Sequence, residues 1–134
     1  MTRPSQRKFQ KELNSGAISL VLLTTLEQLG RPVYGYELAK VLEARASQTL
    51  PMNQAAIYPV LRSLEKQSLL ASEMVKSESG PPRKYYRLTA DAEQTLAEWK
   101  RAWSETTQFV DSILENADGV EARRVSRRTL PSST

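Results

Sequence analysis

The chain has 134 residues, no cysteine, no histidine and a formal net charge of +4 at pH 7. That length holds one domain with an appended element. The missing thiols and imidazoles exclude a disulfide framework, a Cys/His metal centre and a Ser-His-Asp or Cys-His catalytic centre, and the positive balance favours a polyanionic partner, nucleic acid or anionic membrane.

Residues 1–12, MTRPSQRKFQKE, are polar and basic. They read either as a frayed terminus or as an arm that touches DNA. They are too polar for a signal peptide. The chain has no apolar run of the about 18 residues that would cross a membrane, and its composition fits a cytoplasmic protein.

From Leu13 to Leu29 the spacing predicts a helix. Ile18, Val21, Leu22, Leu26 and Leu29 keep one face, and Leu20 and Leu23 widen it. A helix apolar over so much of its circumference needs cover on more than one side. Gly30 and Pro32 end it. Val33 to Ala46 reads as a second helix, with Tyr36, Leu38, Ala39, Val41 and Leu42 including its inward positions.

The stretch Met52 to Leu70 carries a third helix, capped by Asn53. Ile57, Val60, Leu61 and Leu64 form its apolar back. Gln54, Tyr58, Arg62 and Lys66 form a front of amide, phenol and cation, which suits phosphates and base edges. Pro59 lies well inside it. A proline there removes a backbone hydrogen bond, so either the helix starts late or its first turns are distorted, with helix expected on both sides.

Leu69 to Ser77 reads as a strand, Glu78 to Pro82 as a turn, and Arg83 to Leu88 as a second strand. On that strand Lys84, Tyr86 and Leu88 share one face, and Arg83, Tyr85 and Arg87 the other. A helix followed by a hairpin with a basic second strand is the sequence form of a winged helix-turn-helix. Thr89 caps a last, long helix. Ala92, Leu96, Trp99, Trp103, Thr106, Val110, Ile113 and Ala117 are spaced by four and three along it, a heptad seam suited to joining two copies. Residues 118–134, with Gly119 and Pro131 and further basic side chains, read as a disordered basic tail.

The expected fold is therefore mainly α with a small β-hairpin. Its parts are a basic arm at 1–12, a winged helix-turn-helix at 13–89, a dimerisation helix at 90–117, and the tail.

Three motifs in order resemble PadR-type bacterial transcriptional regulators. They are Tyr34-Gly35-Tyr36-Glu37-Leu38; Tyr58-Pro59-Val60-Leu61 followed by Leu64-Glu65; and Arg83-Lys84-Tyr85-Tyr86-Arg87-Leu88-Thr89. Together they cover roughly Leu13 to Glu115. Two positions depart from the pattern: Ser68 and Ala92 stand where such proteins usually carry glycine. The resemblance implies a homodimeric repressor on a palindromic operator in double-stranded DNA, released by small, often aromatic, effectors. Trp103 resembles the tryptophan that multidrug-responsive members place at the dimer interface to stack flat ligands, and Trp99 is its neighbour on the same seam.

The residues expected to meet DNA are Gln54, Tyr58, Arg62 and Lys66 on the third helix, and Arg83, Lys84 and Arg87 on the wing. The tryptophans either line an effector slot or pack the seam, since bulky aromatics at heptad spacing are common core residues. No catalytic residues, metal or cofactor are expected: the carboxylates are scattered, and no Gly-rich phosphate loop is present. A winged-helix protein-interaction module is the rival function, and salt-insensitive binding to a protein would favour it.

Overall fold

Helix α1 runs from Pro4 to Leu29 in the computed structural model, which describes residues 3–48 and 50–127 and side chains as far as Asn116. The helix starts well before the expected Leu13. Pro4 suits a first helical turn, with φ preset and no amide hydrogen to satisfy. The Gln, Arg, Lys and Glu residues that follow are good helix formers, and Lys8 pairs with Glu12 one turn on, at 3.0 Å. Residues 4–12 are thus helical rather than frayed. Gly30 closes α1 in the left-handed conformation (φ 67°) and donates to the Leu26 carbonyl at 3.0 Å.

The segment expected as one helix from Val33 divides in two. Val33–Tyr34 form strand β1, and helix α2 spans Gly35–Arg45. Val33 pairs antiparallel with Tyr86, and Tyr34 with Tyr85. The wing therefore has three strands, with β3 (Arg83–Leu88) lying between β1 and β2 (Leu70–Val75). Two residues are too few to show an alternation, so this strand exists only through its partner. Tyr36, expected to face inward, is 46% exposed.

Helix α3 spans Gln54–Lys66, with the Asn53 side chain accepting from the Ala56 amide at 2.9 Å. Pro59 lies inside it and points outward. It removes the bond that the Ala55 carbonyl would accept. Ala55 is exposed too, so water can replace that bond.

The end of α3 is closed by two reverse bonds. The Leu69 amide donates to the Leu64 carbonyl, and the Ser68 amide to that of Glu65, each at 3.0 Å. Leu64 and Leu69, both buried, supply the accompanying apolar contact. This arrangement puts Ser68 at φ 63°, a conformation that favours glycine. Ser68→Gly is expected to stabilise the fold by on the order of 1 kcal/mol. Thermal unfolding should show a melting temperature higher by roughly 4–8 °C; an unchanged midpoint would mean the serine is not strained.

Strands β2 (Leu70–Val75) and β3 (Arg83–Leu88) pair antiparallel, Ser72 opposite Tyr86 and Met74 opposite Lys84. Thr89 links the wing to the last helix. Its hydroxyl donates to the Ser68 carbonyl at 2.8 Å and accepts from the Ala92 amide at 3.2 Å. The core is built from Leu22, Leu23 and Leu26 of α1, Leu38 and Leu42 of α2, Ile57, Leu61 and Leu64 of α3, and Leu70 and Val33 of the sheet.

Helix α4 spans Ala90–Arg127 and crosses between two compact units, residues 1–98 and 99–134. Ala92 and Leu96, the first two seam positions, are fully buried in the first unit and belong to its core. In the second unit Trp103, Phe109, Val110, Ile113 and Leu114 are exposed. The backbone of α4 remains helical through residues 118–127, where a disordered tail was expected. Gly119 is followed there by a run of helix-compatible residues, Val120 to Arg124. The rest of the expected tail, 128–134, lies outside the described residues, as does the side chain of Ala117.

Candidate nucleic-acid interface

The three buried positions of α3, Ile57, Leu61 and Leu64, fix which way the helix faces. Opposite them lie Ala55, Pro59, Arg62, Ser63 and Lys66, all exposed. Gln54 is exposed on the first turn. Arg62 and Lys66 make no ion pair among the described residues. Beside them, Pro59, Arg62, Ser63, Glu65, Lys66 and Lys84 line an open groove of ≈ 680 Å³ between α3 and the wing. A cationic edge on an exposed helix next to a hairpin can hold phosphates while the helix reaches base edges.

Tyr58 is placed differently from the other residues of the expected front. It is half-buried, and burial, reinforced by Tyr34, Tyr86 and Tyr36, pushes its phenol pKa up. The ring lies by the start of α2, at Gly35. A Cβ there would come within 3.1 Å of the Tyr86 ring and 3.7 Å of the Tyr58 ring, so glycine allows both to pack on the backbone. Tyr58 holds the helix as well as fronting it.

The wing cations are also dispersed. Arg83 stacks over the Tyr34 ring, 4.8 Å from its centroid, and Tyr34 meets Tyr85 and Tyr36 at 5.8 and 6.1 Å. Lys84 lies 3.2 Å from Glu65 of α3 and 5.3 Å from the centre of the Tyr86 ring. Arg87 lines another cleft, with Gly30 and Arg31 at the end of α1 and Glu93 of α4. The structure thus brings Arg62, Lys66 and Lys84 to one groove, places Arg83 toward the wing loop, and leaves Arg87 apart from them.

Glu65 belongs to the second sequence motif but not to the residues expected to meet DNA, and its partners come from the wing. It accepts from the Ser72 hydroxyl with one carboxylate oxygen and from the Lys84 ammonium with the other. The Ser72 bond, with Lys84 adding to it, outweighs the burial penalty and holds the Glu65 pKa below the usual carboxylate range. For Lys84, burial pulls the pKa down, but the bond to Glu65 and the neighbouring charges outweigh it and raise it. The contact depends on strand register across seven residues of sequence, and local pattern carries no signal of it.

Trp99 is half-buried and Trp103 is 47% exposed. No cluster of potential metal ligands is found among the described residues, and no helix among them is long and apolar enough to cross a membrane.

Comparison with known proteins supplies the remaining findings. The family model described as "Transcriptional regulator PadR-like family" matches residues 22–98. A PadR family transcriptional regulator from Eggerthella lenta has a crystal structure similar to this chain, with a TM-score of 0.68 and 35% identity; the match covers 81% of this chain and 91% of that one. A PadR-like transcriptional regulator from Bacillus cereus gives a TM-score of 0.60 at 29% identity, over 77% and 96% of the two chains. An uncharacterized protein of Lysinibacillus sphaericus is 25% identical over 109 residues, which is 81% of this chain and 98% of that protein.

Proposed function

The chain belongs to the PadR-like family of transcriptional regulators, and from that premise we propose that it is a homodimeric, sequence-specific repressor in the cytoplasm that binds a palindromic operator in double-stranded DNA and is released by a small aromatic effector. The observation that carries the DNA reading is the outward edge of α3, where Arg62 and Lys66 stand exposed and outside any described ion pair beside the wing. Arg62 and Gln54 reach base edges, Lys66 and Arg83 meet phosphates, and Tyr58 steadies the helix. Arg87 has a secondary part at most, since it lines a different cleft.

Selection of bound duplexes from a random pool tests this reading directly. A recurrent palindrome is the expected product; recovery of unrelated sequences alone would refute specific recognition. On the selected duplex, Arg62→Ala should weaken binding by about 1–3 kcal/mol and relax preference at one base position. An equal loss on every sequence would make Arg62 a phosphate contact.

The effector reading rests on Trp103, a large aromatic left half-exposed on a seam of apolar residues. Two indoles, Trp99 and Trp103, one turn apart would hold paired helices open enough for a flat ring to stack. Binding of planar aromatic compounds should quench the intrinsic fluorescence, and Trp103→Ala should at least halve that response. Undiminished quenching would place the ligand elsewhere.

A further inference from the structure

We propose that Glu65 is a positioning residue that ties the recognition helix to both strands of the wing and, by neutralising Lys84, makes that lysine a strut rather than a phosphate contact. The inference rests on the reading that α3 and the wing together bind duplex DNA.

The two carboxylate oxygens of Glu65 serve different strands. Oε2 accepts from Ser72 Oγ of β2, and Oε1 meets Lys84 Nζ of β3 at 3.2 Å. Ser72 pairs with Tyr86 and Met74 with Lys84, so Ser72 and Lys84 are diagonal neighbours on the sheet face turned to α3. One side chain thereby bridges three elements, and Lys84 is further pinned over the Tyr86 ring. The side chains are only partly exposed, Lys84 at 42% and Glu65 at 33%, so solvent screens the pair incompletely.

A bare carboxylate on the edge of a DNA-reading helix would repel phosphates. Held between a hydroxyl and an ammonium, it does not. The same contact withdraws Lys84 from the count of phosphate-neutralising cations and leaves Arg62 and Lys66 to face the groove. Glu65 therefore exchanges general affinity for a set spacing between helix and wing, on which discrimination between sequences depends.

The test measures binding of the full chain to a labelled random-sequence duplex across a series of salt concentrations. Wild type, Glu65→Gln, Lys84→Met and the double variant are compared. The slope of log K against log salt counts neutralised phosphates, at about 0.9 each. Glu65→Gln should free Lys84, steepen the slope by about 0.9 and raise affinity for random duplex. The double variant, which removes both charges, should return to the wild-type slope, and Lys84→Met, which bares the Glu65 carboxylate, should bind random duplex more weakly than the double variant.

Loss of about 0.9 from the slope in the double variant, relative to wild type, would show that Lys84 already sits on a phosphate and would overturn the proposal. So would an unchanged slope in Glu65→Gln, or a double variant that keeps the steeper slope. Failure of wild type to bind duplex at all would instead overturn the DNA-binding reading.

Discussion

Val110→Asp combined with Ile113→Asp is expected to give monomers and to lower operator affinity by on the order of 10²–10⁴-fold. The two side chains are 45% and 50% exposed, and Phe109 and Leu114 beside them are more so. In the proposed dimer these apolar side chains would be covered by the second copy. An aspartate in such a seam must be desolvated without a partner, so two per chain, four per dimer, should prevent pairing. A monomer then engages each half-site alone and loses the gain from joining two binding events. Light scattering gives the mass, and anisotropy with labelled duplex gives the affinity. A dimer that survives both aspartates would refute the seam. Monomers that hold the operator as tightly as wild type would separate dimerisation from DNA binding.

Leu61→Ala is expected to destabilise the first unit by about 2–5 kcal/mol. Leu61 is fully buried at the centre of the apolar side of α3. Its loss leaves a cavity between α3 and the rest of the core, and small domains have only about 5–15 kcal/mol in total. Denaturant unfolding monitored by circular dichroism should show the midpoint fall with the slope unchanged. The neighbouring residue provides the contrast. Arg62→Ala, one position along and facing solvent, should alter stability by less than about 0.5 kcal/mol while weakening DNA binding. A Leu61→Ala midpoint within error of wild type would mean that α3 is not anchored by this side chain.

The hydrogen bond from Ser72 to Glu65, joined by the Lys84 ion pair, gives the fold a limited dependence on acid. The Glu65 pKa is depressed, so its contribution is present at neutral pH and is lost only as pH falls below the usual carboxylate range.

Periodicity alone determined most of the helical architecture. The apolar positions of α3, the Asn53 cap, the limits of β3 and the Thr89 cap are legible because each depends on residues within a turn or a strand of one another. At position 68 the resemblance implied a glycine, and the left-handed conformation that Ser68 adopts there is the reason glycine suits it. Tertiary structure decided what distant residues do to each other. Val33 and Tyr34 are a strand only because β3 lies alongside them. Ala92 and Leu96 carry the same heptad spacing as Val110 and Ile113, yet they are buried in the core while the other two stand exposed. Lys84 and Arg87 look alike in sequence, but one meets a carboxylate from α3 and the other lines a cleft by α1. Spacing along the chain encodes which face a side chain takes; only the packing of separate elements sets what that face meets.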